Sequence, residues 1–229
     1  MLPRKNPTRR SNQNFREAIA ADPCIHEPLS AHCLVYPTEA DYREIRPDLR
    51  HISHESYLNE FAKKVAEAHQ AGLPVVVKAI RARTFRDWLT HHGLEQSPSN
   101  IMLYGAFAPL LEDDVLLSKL GVGDRAQTGL YKPGETALVP NPQWAEIVEK
   151  EVVRIAVAHR FSQFVSVLAV VYALRRFSPH PEATVAIAAL ADRLATGIPY
   201  RTVNTSMLEG TELAAAWVEF QRGDQIGLN

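Results

Sequence analysis

Apolar residues recur at helical spacing over residues 54–71. Tyr57, Leu58, Phe61, Val65 and Ala68 fall on one side, with Lys63, Lys64 and Glu67 between them. Ser53 is placed to cap this helix, and Glu55 sits in the first turn, where the helix dipole favours an acid. Gly72 and Pro74 end it. Before it, His32 to Tyr36 is a short apolar run closed by Pro37. After it, Val75 to Ile80 is a β-branched run that reads as an inner strand. Strand, helix, strand predicts a right-handed parallel βαβ unit. A second helix is expected from Thr84, with Thr84 to Asp87 as a capping box. Phe85, Trp88 and Leu89 would form its buried side, and Gly93 would end it. More helix is expected within 99–120, broken at Pro109.

The pattern changes over residues 121–140. Pro133-Gly134 divides two β-prone arms, Leu130 to Lys132 and Glu135 to Val139, which predicts a β-hairpin. From Asn141, a good cap before Pro142 in the first helical position, helical spacing is expected to continue unbroken to Phe177. Its second half, Phe164 to Leu174, is apolar all round and belongs at the centre of a helical core. Residues 182–195 predict another helix, and a last one begins at Thr211. A short helix is also expected over Ser11 to Ala21. The fold class is therefore α+β: a small N-terminal α/β layer, made of the βαβ unit and the hairpin, with a C-terminal helical bundle. The expected organisation is a basic arm over 1–16, an α/β region over 17–140 and a helical region over 141–229, packed as one compact unit.

Composition is that of a globular chain: 46% hydrophobic and 22% charged over 229 residues. The 25 basic and 26 acidic residues give a net charge of −1, so the chain as a whole has no attraction for nucleic acid or anionic lipid. The charge is uneven, however. Arg4, Lys5, Arg9, Arg10 and Arg16 put +5 on the first sixteen residues, which leaves −6 on the rest. Such an arm is either a solvated terminus or a binding element for phosphates. No apolar segment follows the basic start, and no run approaches the ~20 residues that span a bilayer, so neither a signal peptide nor a membrane anchor is expected. With only two cysteines, the chain fits a reducing, cytoplasmic compartment.

Four groups of residues could carry chemistry. Cys24, His26, His32 and Cys33 are the right types for zinc, but the spacing is poor. Neighbouring residues of a strand point to opposite faces, so no metal site is expected. His51, His54, Glu55 and His69 lack the spacing of a metalloprotease helix and read as polar residues of a surface helix. Lys78, Arg81, Arg83 and Thr84 lie at a strand-to-helix junction. In parallel α/β units, ligands bind beyond the carboxyl ends of strands, and guanidinium groups suit phosphate or carboxylate. The plain alternative is a surface turn with solvated arginines.

The fourth group is the segment Leu190 to Leu208, which resembles a helix-turn-helix. Gly197 would make the turn, Val203 and Met207 would pack inward, and Tyr200, Arg201 and Asn204 would face out toward DNA. Its turn is about two residues longer than the usual three or four, and two helices of an ordinary bundle would read the same way. There is no phosphate-binding glycine loop, serine elbow or dinucleotide fingerprint. Two readings follow. The first is a non-enzymatic regulatory or accessory protein whose partners are DNA or RNA. It would use Arg4, Lys5, Arg9, Arg10, Tyr200, Arg201 and Asn204. The second is an enzyme or binder of an anionic small molecule at Lys78 to Thr84. A module that binds other proteins would leave little trace in the sequence. No cofactor is expected.

Overall fold

A computed structural model describes residues 31–123 and 139–195, apart from 159, 162, 163 and 179. The described chain is mostly helical, with a small two-stranded parallel sheet. Residues 31–123 and 139–194 belong to separate compact units. The expected hairpin, the basic arm, Cys24, His26 and the segment from Thr196 onward lie outside the described residues.

In the first unit, β1 (Ala31–Val35) leads to α1 (Glu39–Ile45), a 3-10 turn (Pro47–Leu49) and α2 (His54–Gln70). β2 (Val75–Ala79) follows, then α3 (Ala82–His92), α4 (Pro98–Phe107) and α5 (Asp114–Lys119). β1 and β2 pair in parallel, with Ala31 opposite Val75 and Val35 opposite Ala79. On its other edge β2 receives the chain after α4 in antiparallel sense: Ala79 N–H donates to Pro109 O, and Leu111 N–H donates to Val77 O, both at 2.9 Å. β2 is thus the inner strand that its sequence predicts. It is buried along its whole length, which is why it reads as a continuous run of valines rather than an alternation.

Strand alternation sorts the side chains onto two faces. Val35, Val75, Val77 and Ala79 join Leu58, Phe61 and Val65 of α2 and Leu116 and Leu117 of α5 in one core, with Cys33 packed at its margin. His32, Leu34, Val76 and Lys78 take the opposite face. There α4 lies so close that a Cβ on Gly105 would stand 2.5 Å from a methyl of Leu34. A side chain at Gly105 would require the Leu34 side chain to move.

Ser53 caps α2 as expected, accepting from Ser56 N–H at 3.1 Å. The expected Thr84 to Asp87 capping box does not form. α3 starts two residues earlier, and Ala82 N–H donates to Asp41 Oδ1 at 2.8 Å. The cap comes from α1, forty-one residues away, so no local pattern announces it.

The second unit contains α6 (Pro142–Ala158), α7 (Phe164–Phe177) and α8 (Pro181–Ala195). Asn141 caps α6, its Oδ1 accepting from Gln143 N–H at 3.0 Å. The helix expected to run unbroken to Phe177 is two helices. Arg160 takes a left-handed φ of 58°, Arg160 N–H donates to Val157 O, and Phe161 N–H donates to Ala156 O. That pair of bonds is a Schellman stop, which usually uses glycine. Val167 to Val171 and Leu174 are buried, as an apolar-all-round helix requires. Asn141 bonds Glu182, and Glu149 pairs with Arg193 at 2.7 Å, so α6 and α8 run parallel, with α7 as the return.

Candidate functional site

The carboxyl ends of the two strands differ. Beyond β1 the space is filled with aromatic rings. Tyr42 stacks on Tyr57 with centroids 4.9 Å apart, and Tyr36 and His54 pack around the pair. Tyr57 hydroxyl donates to Leu34 O at 3.2 Å and accepts from Tyr36 N–H at 3.4 Å. His54 Nε2 lies 2.9 Å from Tyr36 O. The carbonyl can only accept, so this nitrogen carries the proton. These side chains satisfy the peptide groups that β1 leaves open and close that end of the sheet. Burial pushes the hydroxyls of Tyr36 and Tyr57 up, so both stay neutral. The surface-helix reading of His54 misses this role. The spacing Tyr36, Tyr42, Tyr57 shows no period, and only the fold brings the rings together.

Beyond β2 the end is open. A cleft of about 330 Å³ lies between Ala79, Arg81 and the stretch Pro109 to Asp113. Ala79 and Leu111 are buried and form its floor; Arg81, Glu112 and Asp113 are exposed at its rim. Arg81 follows Ile80, whose N–H donates to Val35 O at 2.9 Å in the last rung of the sheet, so the backbone carrying Arg81 is fixed by the strand pair. Asp113 is partly committed: its Oδ1 accepts from Leu116 N–H at 2.9 Å and caps α5. Among the described residues, neither the Arg81 guanidinium nor the Glu112 carboxylate makes a hydrogen bond or ion pair.

Of the four residues that the sequence offers as an anion site, only Arg81 lines this cleft. Lys78 is 2% exposed and faces the other side of the sheet, where its ammonium donates to Ala106 O at 2.9 Å. Thr84 Oγ1 donates to Arg81 O at 3.1 Å and accepts from the Tyr104 hydroxyl at 3.2 Å. Arg83 is exposed on the first turn of α3. The positive end of α3 already faces the Asp41 carboxylate, which takes the place an outside anion would have at Ala82 N–H. Glu112, Asp113 and Asp114 form an acidic cluster in sequence with no partner visible there, and the first two line the cleft. Glu112 and Asp113 come to the cleft because the turn after Pro109 pairs with β2, a long-range contact with no sequence signal.

His32 and Cys33 fall on opposite faces of β1 and do not converge. Burial, with the nearby Lys78 ammonium, pulls the His32 imidazole down to about 3. Burial pushes the Cys33 thiol up and keeps it a thiol. Among the described residues, no three His, Cys, Asp or Glu side chains gather as a metal-ligand set, and no helix is long and apolar enough to cross a membrane. Arg4, Lys5, Arg9, Arg10, Tyr200, Arg201 and Asn204, the residues of the nucleic-acid reading, lie outside the described residues.

No protein-family model matches this chain, and no curated protein or solved structure matches it.

Proposed function

We propose that this chain binds a small molecule carrying a phosphate or carboxylate group at the carboxyl end of β2, with Arg81 as the residue that takes the anion. The observation that carries the reading is the unpaired Arg81 guanidinium on a cleft whose backbone is fixed by the sheet. A guanidinium presents paired N–H donors in a fixed plane, which suits two oxygens of one anionic group. The location supports the reading as well, since ligands of parallel α/β units sit beyond the strands' carboxyl ends. Lys78 and Thr84 have no part in it, because both spend their polar atoms on the protein. The reading is one of binding. Cys33, Tyr36 and Tyr57 are held neutral and are not among the residues that line the cleft, so they supply no nucleophile to it.

Thermal unfolding with O-phosphoserine, inorganic phosphate and succinate tests the reading. A ligand at one hundred times its Kd adds about 2.7 kcal/mol to stability. At least one of the three is expected to raise Tm, with the rise lost in Arg81→Ala and kept in Arg83→Ala. A rise that survives Arg81→Ala, or no rise with any probe, overturns it.

A further inference from the structure

We infer that the ligand is amphoteric, carrying an ammonium group as well as the anionic one, and that Glu112 receives the ammonium. The inference rests on the reading of Arg81 given above. The cleft sets one guanidinium against two carboxylates, Glu112 and Asp113. A plain anion entering it would gain Arg81 and be repelled by two acids, and a plain amine would gain the acids and be repelled by Arg81. On balance a plain anion is therefore opposed by one like charge, and a plain amine keeps the attraction of only one unlike charge. A molecule with opposite charges at its two ends satisfies both rims at once.

Glu112 is the acid for this role. Asp113 already accepts from the α5 backbone, whereas Glu112 has no partner among the described residues. Arg81 and Glu112 also fail to neutralise each other, although they line the same cleft and carry opposite charge. Unlike charges that line one cleft and stay unpaired are both available to a third group. The chemistry that fits is a short chain with an amino group at one end and a carboxylate or phosphate at the other.

The test uses full-length protein and calorimetric titration with matched probes: 4-aminobutyrate, butyrate and butylamine, then glycine, β-alanine and 6-aminohexanoate to vary the charge spacing. One of the amino acids is expected to bind at least tenfold tighter than the carboxylate of equal length. Glu112→Gln should remove that advantage, weakening the amino acid while butyrate binds at least as well as before, and Arg81→Ala should abolish both. If butyrate binds to the unaltered chain as tightly as any amino acid, the ligand is a plain anion. The inference then fails while the Arg81 reading stands. If no probe binds and the phosphate and carboxylate titrations above are also silent, both fail together.

Discussion

Lys78 is buried where the sheet is closed on both faces, and its surroundings explain how. Its ammonium meets a carbonyl in the last turn of α4, the negative end of that helix, and its four-carbon stem fills the space between strand and helix. Removing the whole side chain is costly: Lys78→Ala is expected to lose ~3–5 kcal/mol in denaturant unfolding, because it leaves a cavity and a deprived carbonyl. Lys78→Met leaves the same carbonyl without its donor but fills the space, so its loss should be smaller than that of Lys78→Ala by the cavity contribution. Equal losses would mean that the ammonium, not the stem, holds the two elements together. His32 shares this face, and its titration has a definite sign. Unfolded, it takes a proton near its ordinary value of 6.5; folded, only near 3. Between those values the unfolded chain binds more protons, so the contribution of His32 to stability is full above pH 6.5 and falls as pH drops toward 3. His32→Leu should flatten the loss of stability over that window, measured as unfolding free energy against pH. An unchanged slope would assign the acid sensitivity to other groups. A strand lysine in sequence is ambiguous between site and edge. The fold makes it neither, because the covering helix arrives from twenty-eight residues downstream.

At the scale of elements, four helices end in the same way, and the sequence announces only three of them. After α2, α3 and α5, Gly72, Gly93 and Gly121 take positive φ, and the next residue, Leu73, Leu94 or Val122, sends its N–H back five positions. After α6 the bonds are the same, with apolar Phe161 as the returning residue, but the left-handed position belongs to Arg160. Helical spacing therefore predicts an unbroken helix to Phe177, since no glycine or proline marks the stop. A left-handed L-residue costs roughly 1–2 kcal/mol, and glycine in the unfolded chain returns about 0.5–1 of that as entropy. Arg160→Gly is expected to raise the unfolding free energy by about 0.5–1 kcal/mol, with no change in helix content by circular dichroism. A loss of stability would show that the Arg160 side chain contributes more than its backbone strain costs. The start of α3 makes the same point from the other end. Ser53 and Asn141 cap their own helices and are legible, while Asp41 caps a helix from another element and is not.

For the whole molecule, the legible part is what local pattern controls: the parallel strand pair, the helices over 54–70 and 82–92, and the buried face of α7. The site is legible in half. The strand-to-helix junction and Arg81 follow from the βαβ pattern, but the acids opposite it come from a turn that joins β2 only in three dimensions. Charge at this scale separates the proposed function from the alternative. Deleting residues 1–11 removes Arg4, Lys5, Arg9 and Arg10 and takes the net charge from −1 to −5. A more negative chain repels a plain anion, and salt screens that repulsion: the screening length is about 30 Å at 0.01 M and about 8 Å at 0.15 M. A zwitterion has no net charge and is indifferent to the field. The truncated chain is therefore expected to bind 4-aminobutyrate as the full chain does at both salt concentrations, while any weakening of butyrate should be larger at about 0.01 M than at about 0.15 M. Binding to duplex DNA is the contrasting measurement. Each phosphate that the shortened arm no longer neutralises should flatten the log–log salt dependence by about 0.9. A tight DNA complex whose slope falls in this way, with affinity also reduced in Arg201→Ala and small-molecule binding absent throughout, would move the function from the Arg81 cleft to the arm and to Tyr200, Arg201 and Asn204.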